Sequence, residues 1–265
     1  MIGSKDSYAL VTGASSGMGY EYAKLFAKDG KDIVVLARSR DKLEGLKRDL
    51  EKAHGTKVMV LVKDLADPKA PQEVFSELEK AGINIDVLVN NAGFAVYGKF
   101  SDSDWQKEAE MLQVNTIALT QMTKLFLKKM MQNKSGRIMN ISSIGGWGPM
   151  PWWSVYAATK AYVLSFTEAI AREVKGSGVS ITCFCPAVTR TLFFKRSDSE
   201  KSIAYQHGFL SMDAETAAKQ GYRALAKGKT CAIAGLQSSL IIWFGTRLMP
   251  RDLAIRMNEA VSRPS

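Results

Sequence analysis

Short apolar runs recur along the chain, and between them lie stretches in which apolar residues return every three or four positions. Runs that do not alternate with polar residues suit strands buried on both faces, whereas the longer period marks helices with one face turned inward. On this pattern Tyr8 to Thr12, Asp32 to Ala37, Lys57 to Val62, Ile85 to Val89, Gly136 to Ile141 and Val179 to Cys185 are strands, with a last one near Thr230 to Ala234. Helices are expected from Gly17 to Lys28, from Asp41 to Lys52, from Gln72 to Lys80, from Asp104 to about Asn133, and from Ser154 to Lys175. Strand and helix in strict alternation predict βαβ units. The expected fold is therefore α/β, a doubly wound parallel sheet of about seven strands with helices on both faces, undivided by any repeat or linker.

Composition narrows the possibilities without changing that picture. A chain of 265 residues with 46% hydrophobic and 23% charged residues can bury a sizeable core as a single large domain. The net charge of +10 is spread among acids rather than concentrated in runs, which argues against nucleic-acid binding and leaves room for a polyanionic ligand. Met1-Ile-Gly-Ser-Lys-Asp lacks the apolar core of a secretion signal, and no apolar run approaches the roughly 20 residues of a spanning helix, so a cytoplasmic location is expected. The cysteines are Cys183, Cys185 and Cys231 and the histidines His54 and His207. None has zinc-ligand spacing, and no metal site is expected. Cys183 and Cys185 alternate along one strand and read as small apolar fillers of one face.

Three segments carry chemistry. Thr12-Gly-Ala-Ser-Ser-Gly-Met-Gly19 leaves the first strand and opens the first helix. Gly13, Gly17 and Gly19 allow a tight turn and close backbone approach, and the helix N-terminus favours a pyrophosphate; Ser15, Ser16 and Met18 share that turn. The second strand ends Leu36-Ala-Arg-Ser-Arg40, without the acid that would accept bonds from an NAD ribose. Arg38, beside Ser39 and with Arg40 as a second candidate, is placed instead to pair with a 2′-phosphate, which predicts NADP(H). Tyr156 and Lys160 stand four residues apart on an expected helix, with Ser143 thirteen positions upstream of the tyrosine. One helical face then holds a phenol beside an ammonium, and a neighbouring cation draws a phenol's pKa down toward usefulness in proton transfer.

The set Thr12-Gly-x-x-x-Gly-x-Gly19, Asp64, Asn90-Asn-Ala-Gly93, Asn115, Ser143 and Tyr156-x-x-x-Lys160 resembles the classical short-chain dehydrogenase/reductase family over most of the chain. The resemblance implies a Rossmann domain over residues 1–235 that interconverts a secondary alcohol and a ketone. It implies that Tyr156 is the acid/base, that Lys160 lowers its pKa and holds the nicotinamide ribose, and that Ser143 polarises the carbonyl. Asn115 then lies in a distorted helix and completes a tetrad; Ser142 is structural. Asp64 and Leu65 contact the adenine, Asn91, Ala92 and Gly93 pass behind the cofactor, and Val188 and Thr189 meet the nicotinamide. Competing local readings stand beside these: Asp64 as a turn cap, Asn90-Asn-Ala-Gly93 as a plain loop, Asn115 as a kink. Ala187 replaces the glycine usual after Pro186 and puts close backbone approach there in doubt.

The aromatic and apolar residues Phe94, Tyr97, Trp147, Met150, Trp152, Trp153, Leu192, Phe193 and Phe194 fall where the family lines its pocket. They point to a bulky hydrophobic ketone or alcohol, a hydroxysteroid or bile acid, with a 3-oxoacyl lipid or a general carbonyl as the alternative. Ser197 to Gly208 is polar and reads as a lid. Residues 236–265 form an amphipathic helical extension: Leu236, Leu240, Phe244 and Leu248 recur at spacing four, Pro250 interrupts, and Arg247, Arg251 and Arg256 mark the polar side. Packing over the substrate mouth or at the interface of a homodimer or homotetramer is favoured over contact with an anionic membrane. A nucleotide-sensing protein without turnover is the non-enzymatic alternative, and the intact tetrad argues against it.

Overall fold

A computed structural model of the chain describes residues 2–3, 7–190, 197, 199, 202–203 and 211–264. The first half alternates as β1 (Tyr8–Thr12), α1 (Gly17–Lys28), β2 (Asp32–Ala37), α2 (Arg40–His54), β3 (Val58–Val62), α3 (Ala70–Lys80) and β4 (Ile85–Asn90). The second continues as α4 (Trp105–Leu112), a π-helical turn (Gln113–Ala118), α5 (Leu119–Gln132), β5 (Gly136–Ile141), α6 (Ser154–Glu173), β6 (Val179–Cys185) and β7 (Val188–Arg190). It ends with β8 (Ser211–Asp213), α7 (Ala214–Ala226), β9 (Cys231–Ile233), α8 (Leu236–Arg247) and α9 (Arg251–Ser262).

The main sheet runs β3-β2-β1-β4-β5-β6-β9, seven strands among the described residues, all parallel in register. The order reverses between β1 and β4, and ligands of such sheets sit outside the strand C-termini at that reversal. Burial explains the strand signal: Ala9 to Val11, Ile33 to Val35 and Val87 to Val89 are fully buried, because helices cover both faces. One face packs Ala23, Phe26 and Leu43 on β1 and β2, and the other packs Val74, Met122, Phe126 and Met130 on β4 and β5.

The predicted elements are present within two residues at their ends, with three differences. The long helix over 104–133 is α4, the π-helical turn and α5 in succession. The helix α7 is unannounced by the apolar runs, since its buried face is Ala217, Ala218, Gly221 and Ala224 with Leu225 as the one large side chain. A second sheet, β7 with β8, joins segments far apart in sequence. The extension is two helices as expected, broken at Pro250. Among the described residues, no helix is long and apolar enough to cross a membrane.

Candidate active site

A cavity of ≈ 660 Å³ opens along the C-terminal edge of the sheet, from Arg38 at one end to Tyr156 and Val188 at the other. Its floor is the turn after β1. Gly13 and Gly17 adopt φ of 67° and 59°, the left-handed region that glycine enters freely. At Gly19 a Cβ would lie 2.4 Å from the Gly13 carbonyl oxygen and 2.5 Å from Asn91 Nδ2. Gly19 therefore lets helix α1 close on the turn, one position behind the residues that line the cavity. Gly13, Ser15, Ser16, Gly17 and Met18 do line it. The first turn of α1 carries no acidic residue and no side-chain cap, so its backbone N–H groups remain available to an anion.

Thr12 and Asn91 brace this floor. Thr12 Oγ1 accepts from the backbone N–H of Asn91 and of Ala92, each at 2.9 Å, and Asn91 Nδ2 donates to the Thr12 carbonyl at 2.9 Å. Sequence reasoning passed over Thr12 as a site residue; its place at the last position of β1, facing β4, was the available signal. A buried polar chain lies deeper. Asn90 Nδ2 donates to Asn140 Oδ1 at 2.9 Å and to Thr123 Oγ1 at 3.0 Å, and Asn140 Nδ2 donates to Thr167 Oγ1 at 3.1 Å. This chain ties β4, β5, α5 and α6 together behind the site.

At the adenosine end, Arg38, Ser39, Asp64 and Leu65 line the cavity, while Arg40 begins α2 and does not. The Arg38 side chain is 67% exposed, and its Nη1 lies 3.6 Å from Asp64 Oδ2. Asp64 also accepts from the Ala66 backbone N–H at 3.0 Å, so it caps its turn and lines the cavity at once. Lys63 adds a second cation to this wall that the sequence reading did not name.

The reactive end is built on α6. Tyr156 and Lys160 share a face, and Lys160 Nζ sits 5.7 Å from the tyrosine ring centroid. Ser143 initiates the short 3-10 turn Ile144–Trp147; its Oγ accepts from Gly145 N–H at 3.0 Å and hydrogen-bonds the Tyr156 phenol. Ser142 points away and donates to the Lys160 carbonyl at 2.7 Å, the structural role expected of it. The electrostatics differ from expectation. Burial pushes the Tyr156 phenol up to about 12, opposed only by the Ser143 hydrogen bond. Lys160 donates to the Ile141 carbonyl at 3.0 Å, and burial brings its ammonium down to about 8. Its Nζ lies over the tyrosine ring, and burial is the dominant influence on the phenol, stronger than any downward pull that helical spacing suggested.

Asn115 lies in the π-helical turn, fully buried behind Gly93. Its Nδ2 donates to the Phe94 carbonyl at 2.9 Å and to Thr159 Oγ1 at 3.1 Å, and its Oδ1 accepts from Phe94 N–H at 3.2 Å. A Cβ on Gly93 would meet that Oδ1 at 2.9 Å, so glycine lets the asparagine approach. Asn91, Ala92, Gly93, Val188 and Thr189 all line the cavity, and Thr189 Oγ1 donates to the Ala187 carbonyl at 2.9 Å. Ala187 also lines it, so its methyl sits where the resemblance led us to expect glycine.

Of the expected apolar wall, Phe94, Met150 and Trp153 face the cavity. Tyr97 and Trp152 pack behind them, and Trp147 turns toward Cys183 and Cys185 instead. Trp152 holds a φ of 62°, rare for a bulky residue, while its carbonyl accepts from Gly98 N–H at 3.0 Å. Leu192, Phe193, Phe194 and most of the Ser197 to Gly208 segment lie outside the described residues. Helix α9 covers this end: Tyr97 Oη donates to the Ser262 carbonyl at 2.8 Å, Asn258 Nδ2 to the Pro149 carbonyl at 2.9 Å, and Ser262 lines the cavity. The glycine floor, the open helix N-terminus and the elongated shape fit a dinucleotide whose far end reaches Tyr156.

Comparison with known proteins agrees with this geometry. The short chain dehydrogenase family model matches residues 7–202. A very-long-chain 3-oxoacyl-CoA reductase of Bos taurus is 33% identical over 195 residues, 71% of this chain and 61% of the relative. The chain thus spans about three fifths of that relative's length. A 7beta-hydroxysteroid dehydrogenase of Collinsella aerofaciens is 28% identical over 184 residues, 69% of each chain. Among solved structures, a short-chain dehydrogenase from Sphingobium yanoikuyae in complex with NADPH superimposes with a TM-score of 0.82 at 30% identity, covering 91% of this chain and 93% of that one.

Proposed function

The chain belongs to the short-chain dehydrogenase family, and from that premise we propose that it is an NADP(H)-dependent oxidoreductase interconverting a bulky hydrophobic ketone and its secondary alcohol. The observation that carries the reading is the pairing of Ser143 with Tyr156 at the end of a cavity whose other end is Arg38. The NADPH complex of the Sphingobium relative supports the cofactor, and the cations Arg38, 3.6 Å from Asp64, and Lys63, paired with Glu73 at 2.7 Å, stand where its 2′-phosphate would recruit them.

When bound, the nicotinamide supplies a hydride to the carbonyl carbon. Ser143 and Tyr156 form a two-point clamp for the carbonyl oxygen. At neutral pH the phenol keeps its proton, because its pKa stands near 12. An alkoxide is more basic than a phenolate, so a proton passes downhill from Tyr156 Oη as charge develops on the oxygen. Lys160 holds a positive charge on the same helical face, and Asn115 fixes the Phe94 backbone beside it. Met150, Trp153 and Phe94 exclude water and take an apolar body.

A hydroxysteroid or bile acid is the substrate we favour, supported by the Collinsella relative; a 3-oxoacyl thioester is the second reading, supported by the Bos taurus relative. In this reading residues 1–235 hold cofactor and chemistry, and 236–265 complete the substrate side. In this reading the protein is cytoplasmic, and a homodimer or homotetramer is supported by the apolar surface left exposed at Phe100, Trp105, Ile117 and Tyr162. The test is a panel of hydroxysteroids, bile acids, 3-oxoacyl thioesters and small ketones, followed by NADPH absorbance. Turnover with one bulky class and not with small ketones is expected. Nucleotide binding without turnover on any member would favour a sensing protein instead.

A further inference from the structure

The three cysteines of the chain, unrelated in spacing, meet at one place. Cys183 and Cys185 project from the same face of β6, and Cys231 opens the edge strand β9 as the register partner of Cys183. The three sulfur atoms lie within 4.8 Å of one another, with Cys183 Sγ and Cys185 Sγ 3.9 Å apart. Glu168 of α6 hydrogen-bonds the Cys231 thiol, which brings a carboxylate to the open side of the group. Cys183 and Cys185 are buried and Cys231 is half-buried, so access is from the sheet edge.

We propose that Cys183, Cys185, Cys231 and Glu168 bind one zinc(II) ion. Four-coordinate zinc with Zn–S bonds of about 2.3 Å sets its sulfur ligands about 3.8 Å apart. The Cys183 and Cys185 sulfurs already stand at that spacing, and the third needs to move by about 1 Å at most to reach it. Glu168 supplies the fourth ligand as an oxygen donor. Loading transfers one proton from each of the three thiols to solvent and changes no oxidation state. A disulfide between Cys183 and Cys185 fits less well, because residues two apart on a strand hold their Cα atoms about 6.6 Å apart, near the limit a disulfide spans. The ion would fasten β9 to β6, and β6 runs directly into Pro186 to Thr189, which wall the cavity.

The test uses the full chain, reduced, stripped by chelator, and titrated with zinc(II) or with cobalt(II) as a spectroscopic probe. The expected result is one equivalent bound below micromolar, thiolate-to-cobalt charge-transfer absorption with tetrahedral d–d bands, and slower alkylation of all three cysteines in the zinc form. Cys231→Ser is expected to weaken binding at least 100-fold and Glu168→Gln roughly 10-fold. Native mass and thermal unfolding report loading and folding independently of activity, and Glu168→Gln keeps the test open if Cys231→Ser does not fold. A folded, fully reduced chain that gives no charge-transfer band overturns the site. So does binding unchanged in both variants, or a mass two hydrogens short that marks a disulfide in the isolated protein.

Discussion

The glycine turn after β1 and the two consecutive helices α8 and α9 lie at opposite ends of the chain and obey opposite rules. In the turn, backbone atoms are packed against backbone atoms, and Gly19 has no room for one methyl group. In α8, Leu236, Leu240, Trp243 and Phe244, with Leu248 just past its end, are each more than half exposed, and Ser238 is the one buried residue of the helix. Helix α9 is intermediate, pinned by Tyr97 and Asn258 over the cavity mouth but apolar and exposed at Leu253 and Met257. The contrast teaches where constraint originates. The turn is determined by what the chain does to itself, whereas the outer face of α8 is determined by something other than this chain's own core.

Five substitutions break or sharpen that contrast. Tyr156→Phe should lower turnover by roughly 10²- to 10⁴-fold while leaving nucleotide affinity near normal, measured by steady-state kinetics beside fluorescence titration. An active Phe variant would remove the phenol from the mechanism. Arg38→Asp should weaken NADPH by roughly 10- to 100-fold, since a charge-assisted bond is worth about 1.5–3 kcal/mol, and leave NADH nearly unchanged. Equal losses for the two nucleotides would contradict the phosphate role.

Lys160→Met tests the cost of the chemistry. The folded lysine titrates near 8, below its ordinary value of 10.5, so the unfolded chain binds more protons between those values. Stability of the parent should therefore rise as pH climbs from about 8 toward 10.5, with the full penalty present below 8. The Met variant should be inactive, roughly 1–3 kcal/mol more stable at pH 7, and flat across that window in urea titrations. A destabilised variant would mean that the bond to Ile141 outweighs the burial. The smallest effects belong to a matched pair: Gly19→Ala should cost roughly 1–3 kcal/mol although it adds one carbon. Trp243→Ala, which removes a whole indole, should stay within about 0.5 kcal/mol if α8 is uncovered in solution. A larger loss for Trp243→Ala that grows with protein concentration would reveal a covered face.

The parts of the site that were readable from sequence are those fixed by local spacing. Tyr156 and Lys160 share a face because four residues on a helix always do, and Gly13 and Gly17 announce a turn because few other residues adopt its backbone. What escaped depends on register between distant segments. Cys231 meets Cys183 only because β9 pairs with β6, and no spacing rule contains that pairing. The upward pull on the Tyr156 phenol escaped as well, since it comes from burial and from where Lys160 Nζ points. Helix α7 was missed because, Leu225 apart, alanine and glycine fill its inner face where larger side chains would announce one.

The π-helical turn at Gln113–Ala118 has a further result for the architecture. Each residue advances an α-helix by about 100°, so one extra residue in a turn rotates everything after it by about that angle relative to everything before. Met111 of α4 consequently faces the aromatic group around Trp153, while Met122, Phe126 and Met130 of α5 face the sheet. A single rod thus serves two cores that no straight helix could reach with one stripe. Wound as regular α-helix with the same residues, the rod would bring Met111 and Met122, eleven positions apart, within about 20° of one another, and one core would have to give up its side chains.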